Sequence, residues 1–376
     1  MTQLVGIVGA YGAVGAATAR FIRTFCAVEV RLGGRDLKRT QRLIDTDLGA
    51  GAAMSVDVDD PVALSRFCQD CSVVVNCAGP SHRVQDRVAR AALAAGADYV
   101  DPGGDEPLHA SLAPLDLVRR DRRAILSAGL MPGLSGIIPR WIAQHGFDRA
   151  DRLTAFISLR TRFTHAAAVD FLLSDHRGYG ESLAAWQHGV RVSRALEPLA
   201  QIELPYFQTR VDAYPYLSRE ADRLAAALGL SDLHWYHLFD DQRIVSLVGR
   251  LQQEIGEGQP VDAAADALVR AVDVELFGRE PSVVLVFELA GLAQGRSLQR
   301  TALFRATDTY ETSGAVAALA VDAVLAHRMS PGVHYAADVL DAPVVIQRLR
   351  ECPRVGALEL LDHPADRSAA HDEGVL

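Results

Sequence analysis

A short apolar strand, Leu4–Val8, runs directly into the glycines of Gly9–Gly15 and from there into an alanine-rich helical pattern. Few segments restrict a chain so tightly, because strand, tight turn and helix start in that order open a β-α-β unit. Gly9 lets the backbone turn sharply, and Gly12 lets it approach a pyrophosphate with no Cβ in the way. Gly15 lets the helix pack close to the strand. Tyr11, Ala13 and Val14 lie in the same turn, and its free N–H groups, with the positive helix end, face a ligand's negative charge. The spacing is GxxGxxG rather than GxGxxG, so it points to a dinucleotide without fixing which one. An ordinary glycine turn is the competing reading.

The second apolar stretch, Ala27–Leu32, ends in Gly33-Gly34-Arg35-Asp36. An NAD site places an acid about twenty positions beyond the glycines to hold the ribose 2′-hydroxyl. Here that position carries Arg35, with Lys38 and Arg39 following. A guanidinium there pairs with the 2′-phosphate of NADP. Glu29 lies too early in the strand to serve as the ribose acid, and Asp36 reads as the cap of the next helix. Solvated helix charges are the bland alternative.

The 376 residues exceed one ordinary domain, so two domains sharing a cleft are the default expectation. A net charge of −9 with no long basic run argues against nucleic acid as the main partner. The strand begins almost at the first residue, which leaves no room for a signal segment, and no apolar stretch is long enough to span a bilayer. A soluble, cytoplasmic protein is expected, with a homodimer as the default assembly. Cys68 and Cys71 form a C-x-x-C with Cys77 nearby, but no second pair or histidine at ligand spacing follows, so no metal is expected.

Strands are predicted at Met54–Val58, Ser72–Asn76, Asp98–Asp101 and Arg123–Ser127, and helices from Pro61, at Asp86–Ala95, at Ala110–Arg122 and at Ile137–His145. Uncharged strands covered on both faces suit a doubly wound parallel sheet of the Rossmann type. The pattern changes after Asp148. A long strand at Arg152–Arg162, helices at Ala166–Leu173, Leu183–Val192, Ser218–Leu228 and Val261–Phe277, and a hairpin over Ser282–Ala306 read as an α+β substrate domain. The expected division is therefore 1–148 for the nucleotide and 149–307 for substrate and dimerisation. A C-terminal helix within about 308–352, strongest over Thr312–Arg328, returns to the first domain, and 363–376 forms a mobile tail.

In such a sheet the ligand lies beyond the carboxyl ends of the strands. That selects Asp57 near the adenine, then Ala78, Gly79, Pro80 and His82 after the fourth strand, and Asp105 after the fifth. His82 is the first candidate for general acid, since an ordinary histidine titrates near neutrality. A surface histidine opening a helix is its plain alternative. Asp105 can orient it or donate through water. Asp101 reads as a turn former before Pro102, and Asn76 as a backbone partner at its strand end. His165 and Tyr179 are second candidates from the other domain. The run His234-Trp235-Tyr236-His237 splits across two strand faces and reads as aromatic packing. Arg160, Arg162 and Arg177 can meet carboxylates of a substrate or an acidic carrier surface, or remain solvated.

The order of GAYGAVG, LGGRD, VVNCAGPS, AGADYVDPGGDE, SAGLMPGLSGIIPRWIA, TDTYETSGAVAALAVDAVL and SPGVHYAADVLDAPVVIQRL resembles the saccharopine dehydrogenase-like oxidoreductases. Arg152–Val283 carries none of that likeness. The resemblance implies a Rossmann domain completed by a C-terminal helix, NADP(H) as cofactor, and hydride transfer at a carbon–nitrogen bond. The chain's size looks like the thiazolinyl imine reductases of siderophore biosynthesis, whose substrate is tethered to a carrier protein. A saccharopine- or opine-type amino-acid dehydrogenase and a non-enzymatic NADP sensor are the alternatives.

Overall fold

The computed structural model describes residues 3–174, 178–207, 209–352 and 354–362. Strand and helix alternate at first. β1 (Leu4–Val8) feeds α1 (Ala13–Phe25), and β2 (Glu29–Gly34) feeds α2 (Leu37–Leu43). Asp36 caps α2 by accepting from Arg39 N at 3.1 Å. β3 (Ala52–Ser55) leads to α3 (Pro61–Cys68), where Asp60 accepts from Val62 N and Ala63 N and Pro61 fills the first turn. Then come β4 (Val73–Asn76), the short α4 (Ser81–Val84), α5 (Arg87–Ala94) and β5 (Asp98–Val100). They are followed by α6 (Glu106–Leu112), β6 (Arg123–Leu126) and α7 (Leu134–Ala143). The helix expected over Ala110–Arg122 is not there. α6 starts earlier, a single 3₁₀ turn with Pro114 follows, and Asp116 and Asp121 take φ of 47° and 50°, off any helical path.

β7 (Arg149–Arg160) and α8 (His165–Leu172) open the second stretch. β8 (Gly180–Ser182), β9 (Ala185–Gln187) and β10 (Val190–Val192) replace the helix predicted at Leu183–Val192. The reason is local. His188 and Gly189, with φ of 53° and 81°, make a two-residue turn, and Val190 pairs back on Gln187. β11 (Leu199–Ile202), β12 (Val211–Ser218), α9 (Arg219–Leu228) and β13 (Asp232–Phe239) continue the chain. α10 (Gln242–Gly256), α11 (Val261–Glu275), β14 (Ser282–Ala293) and β15 (Arg296–Ala306) complete this stretch, the last two as the expected hairpin. Finally come α12 (Thr309–Leu325), β16 (Gly332–Tyr335), α13 (Ala336–Val339), α14 (Ala342–Arg350) and β17 (Ala357–Leu361). The tail expected at 363–376 lies outside the described residues.

Two compact units result. One comprises the residues up to Ile137 with Thr309–Val355, and the other Ile138–Asp308 with the segment from Gly356. The first holds a seven-stranded sheet in the order β16-β6-β5-β4-β1-β2-β3, parallel throughout. Read from the β3 edge this is the 3-2-1-4-5-6 winding of a dinucleotide fold, extended by one strand. The second unit holds a ten-stranded mixed sheet with β10-β9-β13-β7-β14-β15-β17 as its main path.

In the first unit, Phe67, Leu64, Val88, Ala92 and Leu112 pack under one face of the parallel sheet. Removing the buried Phe67 ring would cost about 3–5 kcal/mol. Strand alternation turns Val5, Ile7, Val73 and Val75 to the opposite face. α12 contacts both α1 and β4, and Gly314 makes its close packing possible. A Cβ on Gly314 would stand 2.5 Å from Ala17 Cβ and 2.6 Å from Thr18 N. The alanine-rich sequence of α12 therefore encodes proximity: small side chains let two backbones approach. No helix among the described residues is long and apolar enough to cross a membrane.

Candidate functional site

The glycine turn is built as tightly as its sequence requires. Gly9 has φ of +76°, and a Cβ there would lie 2.6 Å from Ala78 N. That value and contact leave no room for another residue. Gly12 N donates to Gly9 O at 3.0 Å, closing the turn. A Cβ on Gly15 would come within 2.3 Å of Gly9 O, so only glycine lets α1 start this close to the loop. α1 begins at Ala13 and Val14 with Gly12 as its cap, no capping side chain and no acid in its first turn. Its positive end is thus left for an external anion.

At the end of β2, two further glycines shape the neighbouring surface. A Cβ on Gly33 would strike Phe67 at 2.6 Å, whereas one on Gly34 would strike the Tyr11 ring at 2.4 Å. Tyr11 therefore lies against the strand end, and the Arg39 guanidinium sits 4.6 Å from its ring centroid. Arg35, Lys38 and Arg39 are all exposed. Among the described residues none of the three has an ion-pair partner. Asp57, at the end of β3, is occupied locally and accepts from Asp59 N at 3.0 Å.

The carboxyl ends of β4, β5 and β6 are joined by a buried polar network that the sequence did not announce. Asp101 Oδ2 accepts from Tyr99 OH at 2.6 Å and from Asn76 Nδ2 at 3.0 Å. Its Oδ1 accepts from Gly103 N at 2.9 Å and Gly104 N at 2.8 Å. Asn76 Oδ1 in turn accepts from Ala78 N at 3.2 Å. Burial pushes the Asp101 carboxyl above its ordinary range, opposed by these donors. Burial and the adjacent Asp101 charge push the Tyr99 phenol up as well. Ser127, at φ 55°, donates through N and Oγ to Gly104 O at 2.7 and 2.8 Å. One carboxylate therefore sets the shape of both loops, Ala78-Gly79-Pro80 and Gly103-Gly104. Asp101 is more than a turn former, and only the pairing of three adjacent strand ends could have revealed it.

His82 lies in α4, immediately after the Gly79–Pro80 turn and half-buried. Asp105 is buried at the start of α6, and a Cβ on the intervening Gly103 would stand 3.8 Å from Ser81 Oγ. The loops carrying His82 and Asp105 are thus neighbours at the carboxyl end of the sheet.

The other candidates belong to the second unit. His165 opens α8 and bridges two acids of α11, Nδ1 to Asp266 at 2.8 Å and Nε2 to Asp262 at 3.0 Å. Those two hydrogen bonds, that to Asp262 first, raise its pKa. Tyr179 immediately precedes β8, and its carbonyl accepts from Arg219 N. Trp235 packs edge-on against Phe287, and burial lowers the His237 pKa to about 4. Arg160 pairs with Asp240 at 3.0 Å and Arg162 with Asp273 at 3.8 Å, while Arg177 lies outside the described residues. Cys68 and Cys71 are buried beside the first sheet, and burial pushes the Cys68 thiol up to about 12.

These residues fit a dinucleotide. The glycine turn and the uncapped α1 supply N–H donors for a pyrophosphate, and the cations after β2 supply charge for a further phosphate. Comparison with known proteins agrees. Residues 5–124 match the family model of the saccharopine dehydrogenase NADP binding domain. No curated protein sequence matches the chain. Among solved structures it is similar to an apo saccharopine dehydrogenase (L-Glu forming) from Saccharomyces cerevisiae. That likeness has 15% identity, covers 96% of this chain and 100% of the other, and has a TM-score of 0.70. It is also similar to the C. glutamicum DAP dehydrogenase in complex with DAP, at 15% identity over 94% and 100% of the two chains, with a TM-score of 0.46. At such identity the yeast likeness establishes the fold. The first unit is an NADP-binding domain, and the cofactor is NADP(H).

Proposed function

We propose that this chain is an NADPH-dependent oxidoreductase that reduces a carbon–nitrogen double bond. The observation that carries the reading is the division of labour along the carboxyl end of the parallel sheet. Glycines and cations after β1 and β2 suit the phosphates, and the Asp101 network fixes the loops after β4 and β5, where His82 lies. Bound NADPH supplies the hydride. The protein's share is to hold the ring, exclude water and deliver a proton to the substrate nitrogen. His82 is assigned that proton, and Asp105, on the adjacent loop, its orientation. His165 and Tyr179 are the donors available from the second unit. His165 reaches that role only by giving up the two carboxylates it now bridges.

The substrate proposed first is a thiazoline-like imine carried on an acidic carrier protein, as in siderophore assembly. Arg160 and Arg162 already have acidic partners, which leaves fewer free cations for a substrate rich in carboxylates and equally takes these two from an acidic carrier surface. The yeast likeness over nearly the full length of both chains favours a second reading, an amino-acid dehydrogenase joining an amine to a keto acid. A cytoplasmic homodimer belongs to the same proposal.

The test follows NADPH absorbance with cyclic imines in one series and amine plus keto acid in another. Turnover in the first series and none in the second supports the imine reading, and the reverse supports the amino-acid reading. NADPH uptake without turnover of either class would point to a sensor. With the active substrate, His82→Gln is expected to lower kcat about 100-fold while NADPH affinity stays within twofold. An unchanged kcat would move the donor to Asp105, His165 or Tyr179.

A further inference from the structure

We infer that Tyr11 and Arg39 together form the seat that makes this chain choose NADP over NAD, with Arg39 as the specificity-determining cation and Tyr11 as its positioning residue. The inference rests on the cofactor reading above and deepens it.

Arg35 has the sequence position expected of a 2′-phosphate ligand, but among the described residues no hydrogen bond, ion pair or ring contact holds its side chain. Arg39 is different. Its guanidinium lies 4.6 Å from the centroid of the Tyr11 ring, and its own backbone N–H is tied to Asp36 at 3.1 Å. Tyr11 is itself confined. It belongs to the glycine turn, and its ring rests against Gly34, where any Cβ would meet Cε1 at 2.4 Å. Three separately encoded features, Gly34, Tyr11 and Arg39, thus converge on one stacked arrangement at the end of β2.

A stacked guanidinium keeps its N–H edge free. Arg39 is exposed and has no ion-pair partner among the described residues, so that edge and its outer face are open to a ligand. An edge of planar donors suits a phosphate monoester, and a flat cation face suits an adenine ring. Stacking on Tyr11 also restricts the side chain before the ligand arrives, which lowers the entropy lost on binding. Among the described residues the Asp36 carboxylate makes no ion pair with Arg39, and its Oδ1 accepts from the Arg39 backbone N–H. Because Tyr11 also sits within the pyrophosphate loop, the same ring links the two phosphate-binding places.

The experiment is equilibrium binding, which needs no substrate. NADPH and NADH are titrated into the full-length protein by coenzyme fluorescence, and adenosine 2′,5′-bisphosphate and 5′-AMP are used to displace NADPH. Arg39→Gln is expected to weaken NADPH about tenfold or more and NADH less than twofold. Tyr11→Ala should lose most of the same preference, Tyr11→Phe should keep it, and Gly34→Ala should mimic Tyr11→Ala by displacing the ring. The preference of adenosine 2′,5′-bisphosphate over 5′-AMP should fall in parallel. If Arg39→Gln and Tyr11→Ala bind with the wild-type NADPH-to-NADH ratio, or weaken both coenzymes equally, the inference is overturned. Failure of the wild-type protein to take up either coenzyme would instead overturn the cofactor reading.

Discussion

At the end of β2, Arg35, Lys38 and Arg39 stand exposed with no ion-pair partner among the described residues, whereas in the second unit comparable groups are matched to acids. There His165 bridges Asp262 and Asp266, Arg160 meets Asp240, and Arg191 is shared by Glu181 and Asp222. An unmatched cation held at a strand end gains from an incoming anion. A matched one must first surrender its partner. The first unit therefore leaves the charges after β2 for a ligand, although elsewhere it pairs Arg20 with Asp47 and Arg90 with Asp86, and the second uses these charges to hold helices and strands together.

The sharpest way to break this contrast is at the glycine turn. Gly15→Val places a side chain where even a Cβ would be 2.3 Å from Gly9 O, and NADPH affinity should fall at least about 100-fold in a fluorescence titration. Retained affinity would mean that the anion site lies elsewhere. Next in size is Asp101→Ala. It strands the donors of Tyr99, Asn76, Gly103 and Gly104 and should cost about 2–4 kcal/mol, seen as a lower melting temperature. Melting at the wild-type temperature would show that the three strand ends hold their shape without it. Arg35→Glu should then move the NADPH-to-NADH affinity ratio toward NADH by several-fold, by repulsion of the 2′-phosphate. An unmoved ratio removes Arg35 from that role.

The smallest effects are expected in the second unit. Arg160→Ala should change stability by about 0.5 kcal/mol or less and leave NADPH affinity unaltered. His165 carries a pH dependence of definite sign. Its folded pKa is raised above 6.5, so its stabilising contribution is complete below that value and fades as pH climbs through the raised one. With the side chain 42% exposed, the contribution is about 0.5 kcal/mol. The melting difference between wild type and His165→Gln should therefore be visible near pH 6 and vanish near pH 9. A difference that grows with pH would refute the bridge.

The parallel sheet was legible because its central strands β1 and β4 are uncharged apolar runs. Leu4–Val8 and Val73–Asn76 emerge within a residue of their expected limits. Asp36 and Asp60 announced two helix starts for the same reason: a short acid before an apolar turn is a cap. Leu183–Val192 was misread because apolar spacing at that length fits helix or hairpin, and the deciding signal was the His188-Gly189 pair. The coenzyme loop was legible as a local pattern. The Asp101 network was not, since Asn76 and Asp101 are 25 positions apart and meet only once β4 and β5 pair. The stacking of Arg39 on Tyr11 was hidden likewise, since helix and turn lie 28 positions apart and only the neighbouring β1 and β2 bring them together.

The interruption of the first unit by the second has a consequence for biosynthesis. α12 closes over α1 through Gly314 against Ala17 and Thr18, yet it is encoded almost three hundred residues after its partner. A ribosome must therefore release Ile138–Asp308 of the second unit before the coenzyme lobe can bury that helix face. Until then the emerging lobe exposes the α1 face around Ala17 and Thr18, and a chain stalled or clipped before Thr309 would keep it bare.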